Sequence, residues 1–100
     1  MYTRRYNMYP TGASSLTTSG AKLVADFGVM SIQVGASAST VTVQGSNADG
    51  LTSALAEADW SNISIMATGG VNKIEVGFRW MRTIRTNSAN SVWVQAIQRD

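Results

Sequence analysis

The chain has 100 residues, 44% of them hydrophobic, which is enough for one small core. Only 14% are charged, against roughly 25% in an ordinary soluble domain, and the net charge of +2 equals the contribution of Arg4 and Arg5. The balanced remainder argues against a nucleic-acid-binding domain, which needs many phosphate-neutralising side chains on one face. With no cysteine and no histidine, disulfides, thiolate and imidazole metal sites and the usual neutral-pH general base are all excluded.

Residues 1–20 hold the only proline, Pro10, together with Tyr2, Arg4, Arg5, Tyr6 and Tyr9, and then a stretch, TGASSLTTSG, with little to bury. We expect an extended N-terminal arm there, followed by a folded domain over 21–100. The opening MYTRRYNMYP lacks the apolar region of a signal peptide, and no apolar run approaches the ~20 residues of a membrane span. The expectation is a chain neither exported nor embedded in a membrane.

From residue 21 onward apolar residues recur with a period of two, the signature of strands. In AKLVADF the aligned set is Leu23, Ala25 and Phe27; in VMSIQV it is Met30, Ile32 and Val34; in TVTVQ it is Val41 and Val43. The segment 46–61 breaks the rhythm: Leu51 and Leu55 lie four apart among Ala54, Ala56 and Glu57, so one short helix or an ordered loop is predicted. Strands resume with Ile63, Ile65 and Ala67, then Ile74, Val76 and Phe78, and finally Val92, Val94 and Ala96 opposite Trp93 and Ile97. Clusters of Gly, Ser and Asn at 35–39, 69–70 and 87–90 have hairpin length. About seven short strands with one longer crossing loop predict an all-β fold, an antiparallel β-sandwich of jelly-roll or Greek-key kind.

The densest cluster of charge and apolar surface is FRWMRTIRT, where Arg79, Arg82 and Arg85 interleave with Phe78, Trp80, Met81 and Ile84. A spacing of three would make a basic helical stripe. A strand instead sends Phe78, Trp80, Arg82 and Ile84 to one side and Arg79, Met81, Thr83 and Arg85 to the other. The β-branched and aromatic neighbours and the turn that follows favour the strand. It places Arg82 on the apolar face, where it needs a partner such as Glu57 or Asp59. Basic and aromatic residues so interleaved can also stack single-stranded nucleic acid, but pairing across strands or across a subunit contact is the plainer role.

Other constellations point to no chemistry. Asp49, Glu57 and Asp59 fall in one loop, where helix capping accounts for them more simply than a two-carboxylate site. NADG opens like a calcium loop without completing its ligand set and reads as a turn. Serines are many, yet no histidine can activate one, and Lys22 and Lys73 sit at ordinary strand positions. Neither an enzyme nor a cofactor is expected. Trp60, Trp80 and Trp93, with neighbouring Asn and Gln, form an alternative reading as a sugar-stacking platform of a carbohydrate-binding module.

The run WSNISIMATGGVNKIEVGFRWMRTIRTNSANSVWVQAIQ, with VTVQGSNADG upstream, resembles the C-terminal half of small virion proteins of tailed bacteriophages. The shared pattern over 41–98 is W-S before an Ile-rich strand, a Gly turn, a strand leading into F-R-W-M-R, an Asn/Ser turn and a closing V-x-V strand. The resemblance implies a sandwich that decorates or cements a capsid or serves as a tail adaptor, located in the virion, without an active site. Its partners would be the major capsid protein or other virion proteins, and its own copies in a homo-oligomer, with a trimer preferred. Tyr2, Arg4, Arg5, Tyr6 and Tyr9 of the arm, with Arg79, Arg82 and Arg85, are the residues expected to meet those partners.

Overall fold

A computed structural model describes residues 3–9, 18–35, 40–48, 56–66, 70–86 and 92–98. Among these, the chain forms eight strands: β1 (Thr3–Asn7), β2 (Lys22–Leu23), β3 (Phe27–Val34), β4 (Val41–Ser46), β5 (Ser61–Met66), β6 (Gly70–Glu75), β7 (Trp80–Arg85) and β8 (Val92–Gln98). They build two four-stranded antiparallel sheets, in the orders β1-β8-β3-β6 and β2-β7-β4-β5. The first and last strands are neighbours, and the chain passes repeatedly from one sheet to the other. This is the strand order of a jelly roll, two Greek keys wrapped into a sandwich, and the fold class expected from the period-two pattern is what the chain adopts.

The core follows from that period. Met30, Ile32 and Val34 of β3, Val41 and Val43 of β4, and Val92, Val94 and Ala96 of β8 are buried between the sheets, where each large aliphatic side chain contributes about 1.5–3 kcal/mol. Ile74, Val76 and Phe78 join them. Gly45 lets Phe78 in: a Cβ there would stand 2.8 Å from the Phe78 ring carbon Cγ. Gly70 opens β6 at φ +132°, a conformation closed to most side chains.

Four expectations are corrected. The segment read as an arm is extended, but its described part belongs to the sandwich: β1 pairs with β8 from Thr3↔Ile97 to Asn7↔Trp93, and Met8 and Tyr9 are core residues. Thr18 and Ser19 are likewise tied to β7. Local composition could not reveal this, because β1's partner lies some ninety positions along the chain. At the start of the domain, Val24 is buried and Leu23 exposed, the reverse of the expected phase. In β5 the buried side chain is Met66, while Ile63 and Ile65 face outward; a bulge opposite Val43/Gln44 displaces Ile63. Finally, β7 is a strand as expected, but Met81, Thr83 and Arg85 point into the core, and Trp80, Arg82 and Ile84 line the outer face.

Of the segment 46–61, the described part holds a single 3-10 turn, Glu57–Asp59, closed by the backbone N–H of Ala56 donating to Asp59 Oδ2 at 2.9 Å. Asp59 thus caps a turn, the structural role expected of it. Asp49, Ala54, Leu51, Leu55, Ala67, Tyr2 and the turns at 36–39 and 87–90 lie outside the described residues. No helix among those described is long and apolar enough to cross a membrane.

Candidate functional site

The residues singled out in the sequence divide into two buried polar assemblies and a set of surface positions. The first assembly lies between the sheets. Tyr9 leaves β1 through an Asx turn, its N–H donating to Asn7 Oδ1 at 3.1 Å, and its ring turns inward beneath β7. The Tyr9 hydroxyl donates to the Thr83 carbonyl at 2.9 Å and accepts from Thr83 Oγ1 at 3.1 Å. Ser19 completes the cluster, its Oγ accepting from the Thr83 N–H at 2.8 Å. The Arg85 guanidinium lies 3.6 Å from the centre of the Tyr9 ring, a cation–π contact shielded from water. Burial raises the Tyr9 hydroxyl above its usual pKa of 10.0, against the opposing pull of the Thr83 hydrogen bond and the Arg85 charge.

The second assembly sits on the outer face of the β2-β7-β4-β5 sheet. Arg82 donates through Nε to Gln44 Oε1 at 2.7 Å and, in a bidentate fork, to Glu57 Oε1 at 3.2 Å and Oε2 at 2.7 Å. Trp60 covers it, with the guanidinium carbon 4.5 Å from the ring centre. Arg82 is therefore buried although it points away from the core, whereas Glu57 remains 85% exposed at its side chain. The guanidinium holds the Glu57 carboxyl below the ordinary carboxylate range, chiefly by hydrogen bonding and secondarily by charge. Beside it, the buried indole Nε1 of Trp80 has no hydrogen-bond partner among the described residues.

Tyr9, Arg82 and Arg85, expected to meet partners, are thus taken up in contacts within the chain. Arg4 and Arg5 are exposed on β1, and Tyr6 is half-buried with Lys22 Nζ 5.7 Å from its ring centre. Arg79 is exposed at the bend before β7, its N–H held by Asn47 Oδ1 at 2.9 Å. The tryptophans do not form one platform: Trp60 and Trp80 lie outside the β7 sheet, and Trp93 lies on the outer face of the opposite one. Among the described residues no group of acidic side chains is placed to hold a metal ion.

Sequence reasoning passed over the surface with the clearest functional signal, the edge of β5, which no other described strand pairs. An exposed sheet edge offers unpaired N–H and C=O groups, and proteins ordinarily protect it with charge. Three edges carry such charge: β1 has Arg4 and Arg5, β2 has Lys22, and β6 has Lys73 and Glu75. The β5 edge, SNISIM, has no charge, only the bulge at Ile63, and exposes Ile63 by 42% and Ile65 by 62%. Beside it on the same face lie Thr42 and Ile84. The signal available in the sequence was the lack of any charge between Ser61 and Gly70.

The described strands, eight in number, define a jelly-roll sandwich in which Tyr9, Arg82 and Arg85 contact other side chains of the same chain. No family model, curated protein or solved structure matches the chain.

Proposed function

We propose that this protein is an adhesive virion structural protein, a capsid decoration or cement module of the kind its sequence resembles, and that it attaches through the β5 edge. The observation that carries this reading is that, among the described strands, β5 is the one sheet edge without a charged residue, with Ile63, Ile65 and Ile84 beside it. An extended segment of a capsid protein, or of a neighbouring copy, would add a strand to β5. Main-chain hydrogen bonds would supply register, and the isoleucines apolar contact. Weak contacts repeated at each copy on a shell would then oppose rupture through multivalency.

The low charge of the chain supports the same reading, since it limits repulsion between closely packed copies. The test is co-sedimentation with purified shells. Ile65→Lys, at a position that contributes nothing to the core, should leave the circular-dichroism spectrum unchanged and weaken attachment by at least about tenfold, the effect of ~1.4 kcal/mol. Undiminished attachment by a folded Ile63→Lys/Ile65→Lys double variant would remove β5 as the adhesive edge. Deleting residues 1–12 is the poorer experiment, because it takes away β1, Met8 and Tyr9 and with them part of the core.

A further inference from the structure

The outer face of the β1-β8-β3-β6 sheet is laid out by its register in ordered rows. One row runs Val71, Gln33, Trp93, Asn7 across β6, β3, β8 and β1; the next runs Lys73, Ser31, Gln95, Arg5. Between these rows lies a shallow depression of about 310 Å³ lined by Arg5, Ser31, Gln33, Val71, Trp93 and Gln95. Trp93 is 50% exposed and Val71 63% exposed, so neither is required by the core, and the indole forms part of the wall of the depression.

The composition of this patch selects a class of ligand. An exposed indole offers a flat apolar surface suited to the C–H face of a pyranose ring, while the amides of Gln33 and Gln95 and the Ser31 hydroxyl can both donate and accept toward sugar hydroxyls. Two cations complete the rows. The neighbours of Arg5 in the register and along its strand are Gln95, Trp93, Ile97, Thr3 and Asn7, so none of these described neighbours is a carboxylate. A guanidinium so placed matches a carboxylate in a bidentate fork; Lys73 at the far end of the row is offset by Glu75 two residues along the same face, so Arg5 is the cation that matters.

We infer that this depression is a saccharide-binding site that stacks a sugar ring on Trp93 and favours carboxylate-bearing sugars through Arg5. The inference goes beyond the adhesive role of β5, because the two surfaces lie on opposite sheets and have separate tests. A shallow, solvent-open site on a rigid sheet gives weak binding for a single sugar unit, and repeated display would raise the avidity.

The experiment is an array of acidic oligosaccharides (uronate- and sialate-containing) and neutral ones, probed with the full chain, followed by titration of the retained glycans. The expected result is retention on acidic glycans, abolished by Trp93→Ala and weakened at least tenfold by Arg5→Gln, with both variants still folded and still attaching to shells. Rising salt should weaken the acidic glycans and leave any neutral binding little changed. Retention of no glycan, or binding that survives Trp93→Ala, would overturn the site, and equal retention of acidic and neutral glycans would overturn the role of Arg5. If Trp93→Ala instead loses shell attachment while no glycan is retained, the face belongs to a protein contact and the saccharide assignment fails.

Discussion

Arg82 and Arg85 stand three residues apart on one strand and on opposite faces of it, and both are buried, yet they are stabilised in different ways. Arg85 enters the sandwich and lies over the Tyr9 ring, where the low dielectric strengthens a cation–π contact but raises the cost of disturbing anything around it. Arg82 stays outside and acquires its own cover from Trp60, Gln44 and a carboxylate that is itself largely in water. The lesson is that burial of a charge does not locate the core. An arginine with a long apolar stem can be hidden by a few side chains on an outer face, and only the environment of its partners tells the two cases apart.

The comparison can be broken most forcefully at Arg85. Replacing it with alanine removes an almost fully buried side chain from between the sheets and is expected to cost about 3 kcal/mol, measured by urea unfolding. Tyr9→Phe keeps the ring beneath the guanidinium and removes the hydroxyl that accepts from Thr83 Oγ1 and donates to the Thr83 carbonyl, which keeps its bond from the Ser19 N–H, for a loss of about 1–3 kcal/mol in the same measurement.

The same tyrosine sets an alkaline limit. Its pKa is higher in the fold than in the unfolded chain, so its contribution is complete below pH 10.0 and declines as pH rises through the folded value. Stability of the parent chain should therefore fall above that pH more steeply than that of Tyr9→Phe, as followed by alkaline titration of the circular-dichroism signal.

On the outer face the effects are smaller. Glu57 titrates lower in the fold than when unfolded, so its pairing with Arg82 stabilises above the ordinary glutamate value of 4.5 and is lost as pH falls through the lower folded value. Glu57→Gln should flatten that acid limb and reduce the salt dependence of stability, with a modest effect at neutral pH because the carboxylate is solvent-screened. The smallest change is Trp80→Phe, which removes a buried N–H that has no partner among the described residues. Thermal unfolding should show a difference within about 1 kcal/mol, in the stabilising direction if the orphaned donor outweighs the lost indole packing.

Much of the fold was legible in the residues, and the candidate sites far less so. The alternation in VMSIQV, TVTVQ and VWVQAIQ marked β3, β4 and β8 and named their buried members. Glu57 was one of two carboxylates, with Asp59, offered to Arg82 on the expectation that Arg82 faces the core; the pair forms with Glu57, but on the outer face. The β5 edge was not legible, because whether a strand lies at an edge depends on the order of strands in the sheet.

What the amino-acid sequence determined by itself was the periodicity, and with it an all-β chain of short antiparallel strands, because side chains of an extended backbone must alternate between two faces. Periodicity carries no sign. Which face of β7 or β5 turns inward was decided by the tertiary structure: in both strands apolar side chains occur on either face, and cross-strand partners select the one that packs. The same holds for residues 3–9, whose incorporation rests on pairing with β8 and on a hydrogen bond from Tyr9 to Thr83 across 74 positions of sequence. Such contacts form only when the sheets close, so no local pattern announces them.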